Sequence, residues 1–267
     1  MNSFNIKITR LLVSRHELIF ELVRRELKDR HTGQIVGVVW SFGHPVLLMA
    51  LYAVLFAYVF PARFADGGFE ADFSANILAG IICWLAFQDI LSRSPSILLS
   101  HANLVKQIVF PIEVLPVKTA IASLLPFAGS LIFAIAYSAF KDTLSFFSIA
   151  LPLLILVQIV AMVGIAFILS VVGVYLKDIK DLIVVFNAVN LFAQPILYNP
   201  RATPEILQWI FVINPFSYAV WCWQDVLFYG TIAHPVAWIV FPLESLLLLV
   251  FGWSIFERSK NTLGDHL

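Results

Sequence analysis

Residues 143–176 read TLSFFSIALPLLILVQIVAMVGIAFILSVVGVYL, a run of 34 residues without one Asp, Glu, Lys or Arg. A helix needs about 20 apolar residues to cross about 30 Å of hydrocarbon. A helix of 34 residues at about 1.5 Å each would reach about 51 Å, so the run holds one long, tilted or protruding span, and Pro152 marks a turn or kink at its start.

Working outward, charge-free windows recur at 32–62, 73–88, 119–140 and 182–200, and the stretch after Asp225 is broken only by Glu244. They predict six spans, at about 37–60, 76–92, 117–140, 147–176, 182–199 and 236–256. Pro61, the 63–72 segment with Gly67-Gly68, Lys141-Asp142 and the charged run 177–181 mark polar turns between them. The composition agrees: 60% of the 267 residues are hydrophobic and 13% charged, with a mean hydropathy of +0.90. Soluble domains carry about 25% charged residues. The expected fold is an all-α integral membrane protein with six transmembrane helices.

Basic residues orient the spans. With the N-terminus in the cytoplasm, 14 of the 17 Lys and Arg fall in cytoplasmic segments, and only Arg63, Lys141 and Arg201 lie outside. That is a strong positive-inside bias. Both termini are then cytoplasmic, giving an N-terminal segment 1–34, a transmembrane domain 35–256 and a tail 257–267. No apolar stretch of signal-peptide type occurs in the first 30 residues. Instead Leu11, Leu12, Leu18, Ile19, Leu22, Val23 and Leu27 recur at helical spacing among Arg15, Glu17, Glu21, Arg24, Arg25 and Lys28. This pattern predicts an amphipathic helix lying among anionic headgroups.

Several chemistries are missing. Equal numbers of basic and acidic residues, 17 each, exclude a strongly basic nucleic-acid binder. Cys83 and Cys222 are too few and too scattered for a disulfide framework or a zinc site, and read as small buried apolar residues. No G-x-x-x-x-G-K-[ST], H-E-x-x-H or nucleophile-elbow sequence occurs, and the six histidines are dispersed. No catalytic, metal or cofactor site is expected on this chain. Asp89 and Arg93, four apart, suit a helical ion pair. Asp225 falls in an outer segment where water or headgroups can solvate it. Glu244 stands in mid-span without a basic neighbour. It suits a carboxyl protonated or hydrogen-bonded within the bundle, or the proton-coupling group of an ion-driven secondary transporter.

Two connections are long enough to be functional elements. Residues 93–116, RSPSILLSHANLVKQIVFPIEVLP, carry a helical apolar pattern in Ile97, Leu98, Leu104 and Ile108. Pro95 suits a first helical turn, and Pro111 and Pro116 break the chain before span three. A short amphipathic helix beneath the bilayer suits either the docking surface of a soluble motor protein or an interfacial connector with no partner. Residues 200–235 are divided at Asn214-Pro215 into pieces too short to span, which predicts a pair of re-entrant half-helices before the last span. Trp209, Trp221, Trp223 and Tyr229 within it also suit an interfacial aromatic belt.

The run LVRRELKDRHTGQIVGVVWSFGHPVLLMALYAVLF, 22–56, resembles the opening of ABC-2 type polysaccharide export permeases, with Gly37, Trp40 and Pro45 at the family's positions. FPIEVLP at 110–116 resembles the motif before span three, and NPFSYAVWCWQDVLFYG at 214–230 the external gate region. FERSKNTLGDHL at 256–267 is similar to the ending of O-antigen members. The resemblance implies a homodimer of six-span subunits in the bacterial inner membrane, served by two copies of a separate ABC ATPase that binds ATP and Mg. It implies export of an undecaprenyl-diphosphate-linked polysaccharide, O-antigen before capsular polysaccharide or teichoic acid. Membrane lipids are then a further partner, and nucleic acid is not.

By the same resemblance Ser96, His101, Asn103, Leu104 and Lys106 couple to the ATPase. Trp40, Tyr52 and Phe56 on span one and Phe186, Asn187, Asn190, Phe192, Gln194 and Tyr198 on span five line the channel. Trp209, Asn214, Pro215, Tyr218, Trp221 and Tyr229 form the periplasmic gate. Aromatic faces stack on sugar rings and let a polymer slide. Asn187, Asn190 and Gln194 share nearly one helix face, a polar stripe better suited to a channel wall or a subunit contact than to lipid.

Overall fold

The structure, a computed structural model, describes residues 15–29, 39–59, 73–105, 110–198 and 203–264. Among the described residues every regular element is helical. Helix α1 (His16–Asp29) is the amphipathic segment, with Ile19 and Val23 buried and Phe20 exposed. Helix α2 (Val39–Val54) contains Pro45 and ends in a wider turn, Leu55–Val59. Helix α3 (Phe73–Arg93) lies at the centre of the bundle, with every side chain from Ser74 to Trp84 buried. It continues through a tight turn at Ser94–Ser96 into two single-turn helices, α4 (Ile97–Ser100) and α5 (Ala102–Val105).

Helices α6 (Val114–Ala122) and α7 (Leu124–Phe140) form one stretch interrupted at Ser123. The interruption has a local cause: Pro126 has no N–H to return to the carbonyl of Ala122. Helix α8 (Leu151–Tyr175) is entered through a tight turn, Phe146–Ala150, whose second amide, Phe147 N–H, donates to Ser145 Oγ at 3.1 Å. Pro152 sits in the first turn of α8, the place where a missing N–H is harmless. Helices α9 (Ile179–Asn190), α10 (Glu205–Ile213), α11 (Pro215–Gln224, with a wider turn at Asp225–Tyr229) and α12 (Ala237–Leu263) follow.

Four helical stretches among the described residues are long and apolar enough to cross a membrane: Ser74–Ser100, Val114–Phe140, Phe146–Tyr175 and Ala237–Lys260. They coincide with the expected spans 76–92, 117–140, 147–176 and 236–256. The α10–α11 pair makes a fifth only if it is counted as one span, and it is bent by 100° at Asn214. The expected span 37–60 meets a shorter apolar helix, Phe42–Tyr58, and residues 37, 38 and 60 lie outside the described set. The expected span 182–199 is helical only to Asn190, after which 191–198 runs as successive turns. Pro195 explains the stop: it cannot donate to the preceding turn, and it disfavours helical geometry at Gln194.

Two buried clusters divide the bundle. The larger joins α2, α3, α7, α8, α11 and the start of α12. A buried polar triad runs through it, in which Trp223 Nε1 donates to Gln158 Oε1 at 2.6 Å and Gln158 Nε2 donates to the Cys83 carbonyl at 3.2 Å. Both ends of Gln158 are thereby satisfied, as an apolar surrounding demands. The smaller cluster joins α1, the 97–105 segment, α6 and the far ends of α8 and α12 through Ile19, Leu98, Leu115, Val171 and Phe256, among others. It defines one end of the molecule, and the α10–α11 hairpin defines the other.

Candidate functional site

At the α1 end the 94–105 segment has an inward apolar face that includes Ile97 and Leu98 of the expected pattern, while Ile108 lies outside the described residues. Ile97, Leu98 and Val105 are buried, Asn103 is exposed, and Ser96, His101 and Leu104 are half-buried. Lys106, expected to act with them, lies outside the described residues, as does Gly37. The segment is pressed against α8, where a side chain at Gly173 would overlap the Pro95 backbone. Asp89 and Arg93 form the expected i, i+4 ion pair at 2.7 Å.

His101 closes the turn between α4 and α5 and reaches Lys118 on α6, with Nε2 at 3.0 Å from Nζ. An ammonium only donates, so His101 Nε2 accepts and the ring is neutral with its proton on Nδ1. That proton is directed to the Ile97 carbonyl, 3.0 Å away, with Ser100 Oγ at the same distance. Lys118 in turn pairs with Glu26 of α1 at 2.8 Å. A second ion pair, Lys260 with Glu113 at 2.7 Å, fastens the chain ahead of α6 to the end of α12. A cavity of about 1180 Å³ opens beside this cluster, between α1, α2, α3 and α7.

Burial first, and the Lys118 ammonium second, hold the His101 pKa below its ordinary 6.5. Arg25 acts in the same direction, and Glu26 and the Ile97 carbonyl oppose it. The folded protein therefore binds fewer protons than the unfolded chain just below pH 6.5, so stability present above that pH is lost as pH falls through the lowered pKa. Thermal melts should show His101→Gln losing less stability than wild type on acidification below 6.5. Identical pH profiles would remove His101 as the titrating group.

The expected channel residues divide into two sets. Trp40, Phe186 and Phe192 are exposed on α2, on α9 and just beyond it, and Tyr52 and Phe56 are half-buried and stacked with ring centres 6.4 Å apart. Tyr198, half-buried, donates from its hydroxyl to the Phe192 carbonyl at 2.9 Å and packs on Phe211. Asn187, Asn190 and Gln194, in contrast, are buried within the protomer. Asn187 Nδ2 donates to Ser92 Oγ at 3.0 Å, Asn190 Oδ1 accepts from Asn214 Nδ2 at 2.7 Å, and Gln194 Nε2 donates to the Asn190 carbonyl at 3.0 Å. The polar stripe thus fastens α9 to α3 and to the hairpin, while Leu182, Val185 and Val189 hold the exposed face. The stripe signalled avoidance of lipid, and a turn inward meets that requirement as well as a channel does.

At the hairpin end Asn214 is the corner piece. Its Oδ1 accepts from Phe216 N–H at 3.1 Å, capping α11, and Pro215 supplies the first turn of that helix. Tyr218, Trp221 and Tyr229 come together: Trp221 stacks on His234 at 5.5 Å, with Tyr229 and Tyr218 edge-on to His234 and Trp221 respectively. Trp209 stays apart, exposed on α10. Asp225 corrects the sequence reading. It is fully buried, and water or headgroups do not solvate it. Its Oδ1 takes His234 Nδ1–H at 2.7 Å, and its Oδ2 takes His234 N–H at 3.0 Å and Trp238 Nε1–H at 2.9 Å. Two of its donors come from His234 in the loop after α11 and the third from Trp238 in the first turn of α12, residues that no motif ties to Asp225.

Cys83 and Cys222 are free and buried, and no cluster of three or more His, Cys, Asp or Glu exists among the described residues. Glu244 is half-buried on α12 next to exposed Leu243. The arrangement is a helical bundle with a polar cluster at one end and an aromatic corner at the other.

The model of one protein family, ABC-2 type transporter, matches residues 17–228. The chain is a member of the ABC-2 type transporter family. The transporter is 24% identical over 255 residues to the O-antigen export system permease protein RfbA of Klebsiella pneumoniae, covering 94% of this chain and 95% of the relative. It is 23% identical over 266 residues to the protein of that name from Myxococcus xanthus, covering 98% and 100%. The matched region begins in α1 and ends within the Asp225–Tyr229 turn, so it contains the 94–105 segment and the hairpin. The transporter is thus a multi-pass membrane subunit of a family that works with an ABC ATPase.

Proposed function

We propose that this chain is the permease subunit of an O-antigen exporter. Two copies would form the path, each with six spans: the four long helices, α2, and α9 with the turns after it. Two copies of a separate ABC ATPase would bind ATP and Mg and drive the cycle. The observation that carries the reading is similarity over nearly the whole of both chains to permeases named for O-antigen export.

The physical features agree with it. The 267 residues hold no phosphate-binding loop, in keeping with a motor on a separate subunit. The distribution of basic residues supports an α1 end in the cytoplasm of the inner membrane, with both termini there and the hairpin toward the periplasm. Ser96, His101, Asn103 and Leu104 would then face the ATPase, and Tyr218, Trp221 and Tyr229 would sit at the exit gate. The exposed apolar faces of α2 and α9, with Trp40, Phe186 and Phe192, suit a second copy and a sliding lipid-linked glycan. An ion-driven carrier is not favoured.

The test is export in cells together with its ATPase. The complex should copurify, and a Walker-A lysine substitution in the ATPase should stop delivery of O-antigen to the outer surface while Glu244→Gln leaves it unchanged. Export that survives loss of ATP hydrolysis, or that depends on Glu244, would overturn the proposal.

A further inference from the structure

Among the described residues Lys118 is the one Lys or Arg side chain buried in the interior, at 2% exposure. A buried ammonium is costly unless it is paired and hydrogen-bonded. Lys118 meets that demand with two groups from two different elements: the Glu26 carboxylate on α1 at 2.8 Å and His101 Nε2 beside α4 at 3.0 Å. Lys118 itself belongs to α6, which runs through Ser123 into α7. Three separate elements therefore converge on one nitrogen.

The apolar contacts among the same elements lack this directionality. Ile19 and Val23, Leu98 and Val105, and Val114 and Leu115 share one cluster, and such surfaces resist separation far more than sliding. On the other side of the nitrogen lies the 1180 Å³ cavity, lined by Glu26, His101 and Lys118 themselves. There the elements meet through the ionic cluster, with open space around it for movement. An ion pair is also a poor way to gain stability alone, because well-packed apolar side chains of similar volume commonly equal or exceed it. Its distinctive contribution here is a fixed geometry between three helices.

We propose that Lys118 is a positioning residue that locks α1, the 94–105 segment and α6–α7 into one body, so that displacement of the segment by the ATPase reaches the spans. The proposal rests on the reading of the chain as an ATP-driven permease and goes beyond it in assigning transmission to this side chain.

The experiment uses the permease–ATPase complex in proteoliposomes and compares ATP hydrolysis with delivery of lipid-linked O-antigen. Lys118→Met keeps the side chain's length and apolar stem while removing the charge. It should assemble with the ATPase and retain basal hydrolysis, yet lose about tenfold or more in export per ATP, within the usual range of coupling between sites. The swap Glu26→Lys with Lys118→Glu should recover much of that ratio, whereas Glu26→Lys alone should not. A side chain needed only for folding would change the yield of complex and leave the ratio intact. Should Lys118→Met fail to accumulate, Glu26→Gln cuts the α1 arm alone and is read by the same ratio. Assembled variants with a wild-type ratio would overturn the role of Lys118 while leaving the permease reading in place. A wild-type complex that shows no ATP-driven export would overturn both.

Discussion

Gly164→Val is expected to leave almost no folded transporter in the membrane. Helices α8 and α12 form the most extensive helix pair in the molecule, and they meet backbone to backbone at Gly164 and Gly252. A Cβ at Gly164 would lie 2.5 Å from the Leu248 carbonyl carbon and 2.6 Å from the Leu249 nitrogen, and a Cβ at Gly252 would run into the Gly164 carbonyl oxygen. Those obstacles are backbone, so no rotamer change relieves them and the helices must part along their length. Lipid competes well for apolar side chains, so association of spans depends on close approach through small residues. Overpacking costs about 1–3 kcal/mol even where side chains can adjust, and valine here asks for more. Gly164→Ala should lose less folded protein than Gly164→Val, and Leu246→Ala, on the exposed face of α12, should be near neutral. Monodisperse yield from detergent extracts and melting temperature report the order. A Gly164→Val protein with wild-type yield and melting temperature would show that the two helices are not in backbone contact.

What the sequence made legible, and what it did not, separates along physical lines. The bilayer excludes charge, so charge-free windows mark spans directly: the expected 147–176 and 236–256 lie on Phe146–Tyr175 and Ala237–Lys260. Proline punctuation was readable in part: Pro95 does open the turn after α3, whereas Pro116, expected to break the chain before span three, sits in the first turn of α6, where a missing N–H is tolerated. Partner choice was not readable. Lys118 counted only as one more cytoplasmic charge, although its partners stand on α1 and beside α4, at positions 26 and 101. The Asn187–Gln194 stripe showed a face that avoids lipid, but periodicity cannot say whether such a face meets a channel, a second subunit or the protomer's own α3. The end of α9 at Asn190 was hidden because the window stays charge-free to Pro200 and the helix is stopped by Pro195 further on. The partners of Lys118 and of the Asn187–Gln194 stripe depend on pairings across the fold, which local pattern does not encode, whereas Pro195 was a local stop signal that the charge-free window outweighed.

Asp225→Ala is expected to disorganise the hairpin end and abolish export even where protein still inserts. The carboxylate is the common acceptor for the His234 backbone amide, His234 Nδ1 and Trp238 Nε1, and it is completely shielded from solvent. It joins the turn after α11 to the start of the last span, and the imidazole it orients is the surface on which Trp221 stacks. Alanine would leave three donors, on half-buried His234 and Trp238, without their acceptor. Leaving a buried donor unsatisfied costs about 1–3 kcal/mol, and several together are a large share of the stability of a typical domain. Asn at this position keeps the shape but offers one acceptor oxygen where two now serve three donors, so Asp225→Asn should fall between alanine and wild type. Trp238→Phe removes one donor and leaves the carboxylate two, so its loss should be near 1 kcal/mol. Limited proteolysis of the 230–236 loop, read alongside surface O-antigen, separates the cases: cleavage should rise from Trp238→Phe through Asp225→Asn to Asp225→Ala, and export should fall in the same order. Export intact in Asp225→Ala would mean that the hairpin is held by Thr143, which donates to the Leu227 carbonyl at 3.2 Å, and its neighbour Ser145, which donates to the Gly230 carbonyl at 3.4 Å. The hairpin end would then depend on the α7–α8 connection instead of on the start of α12.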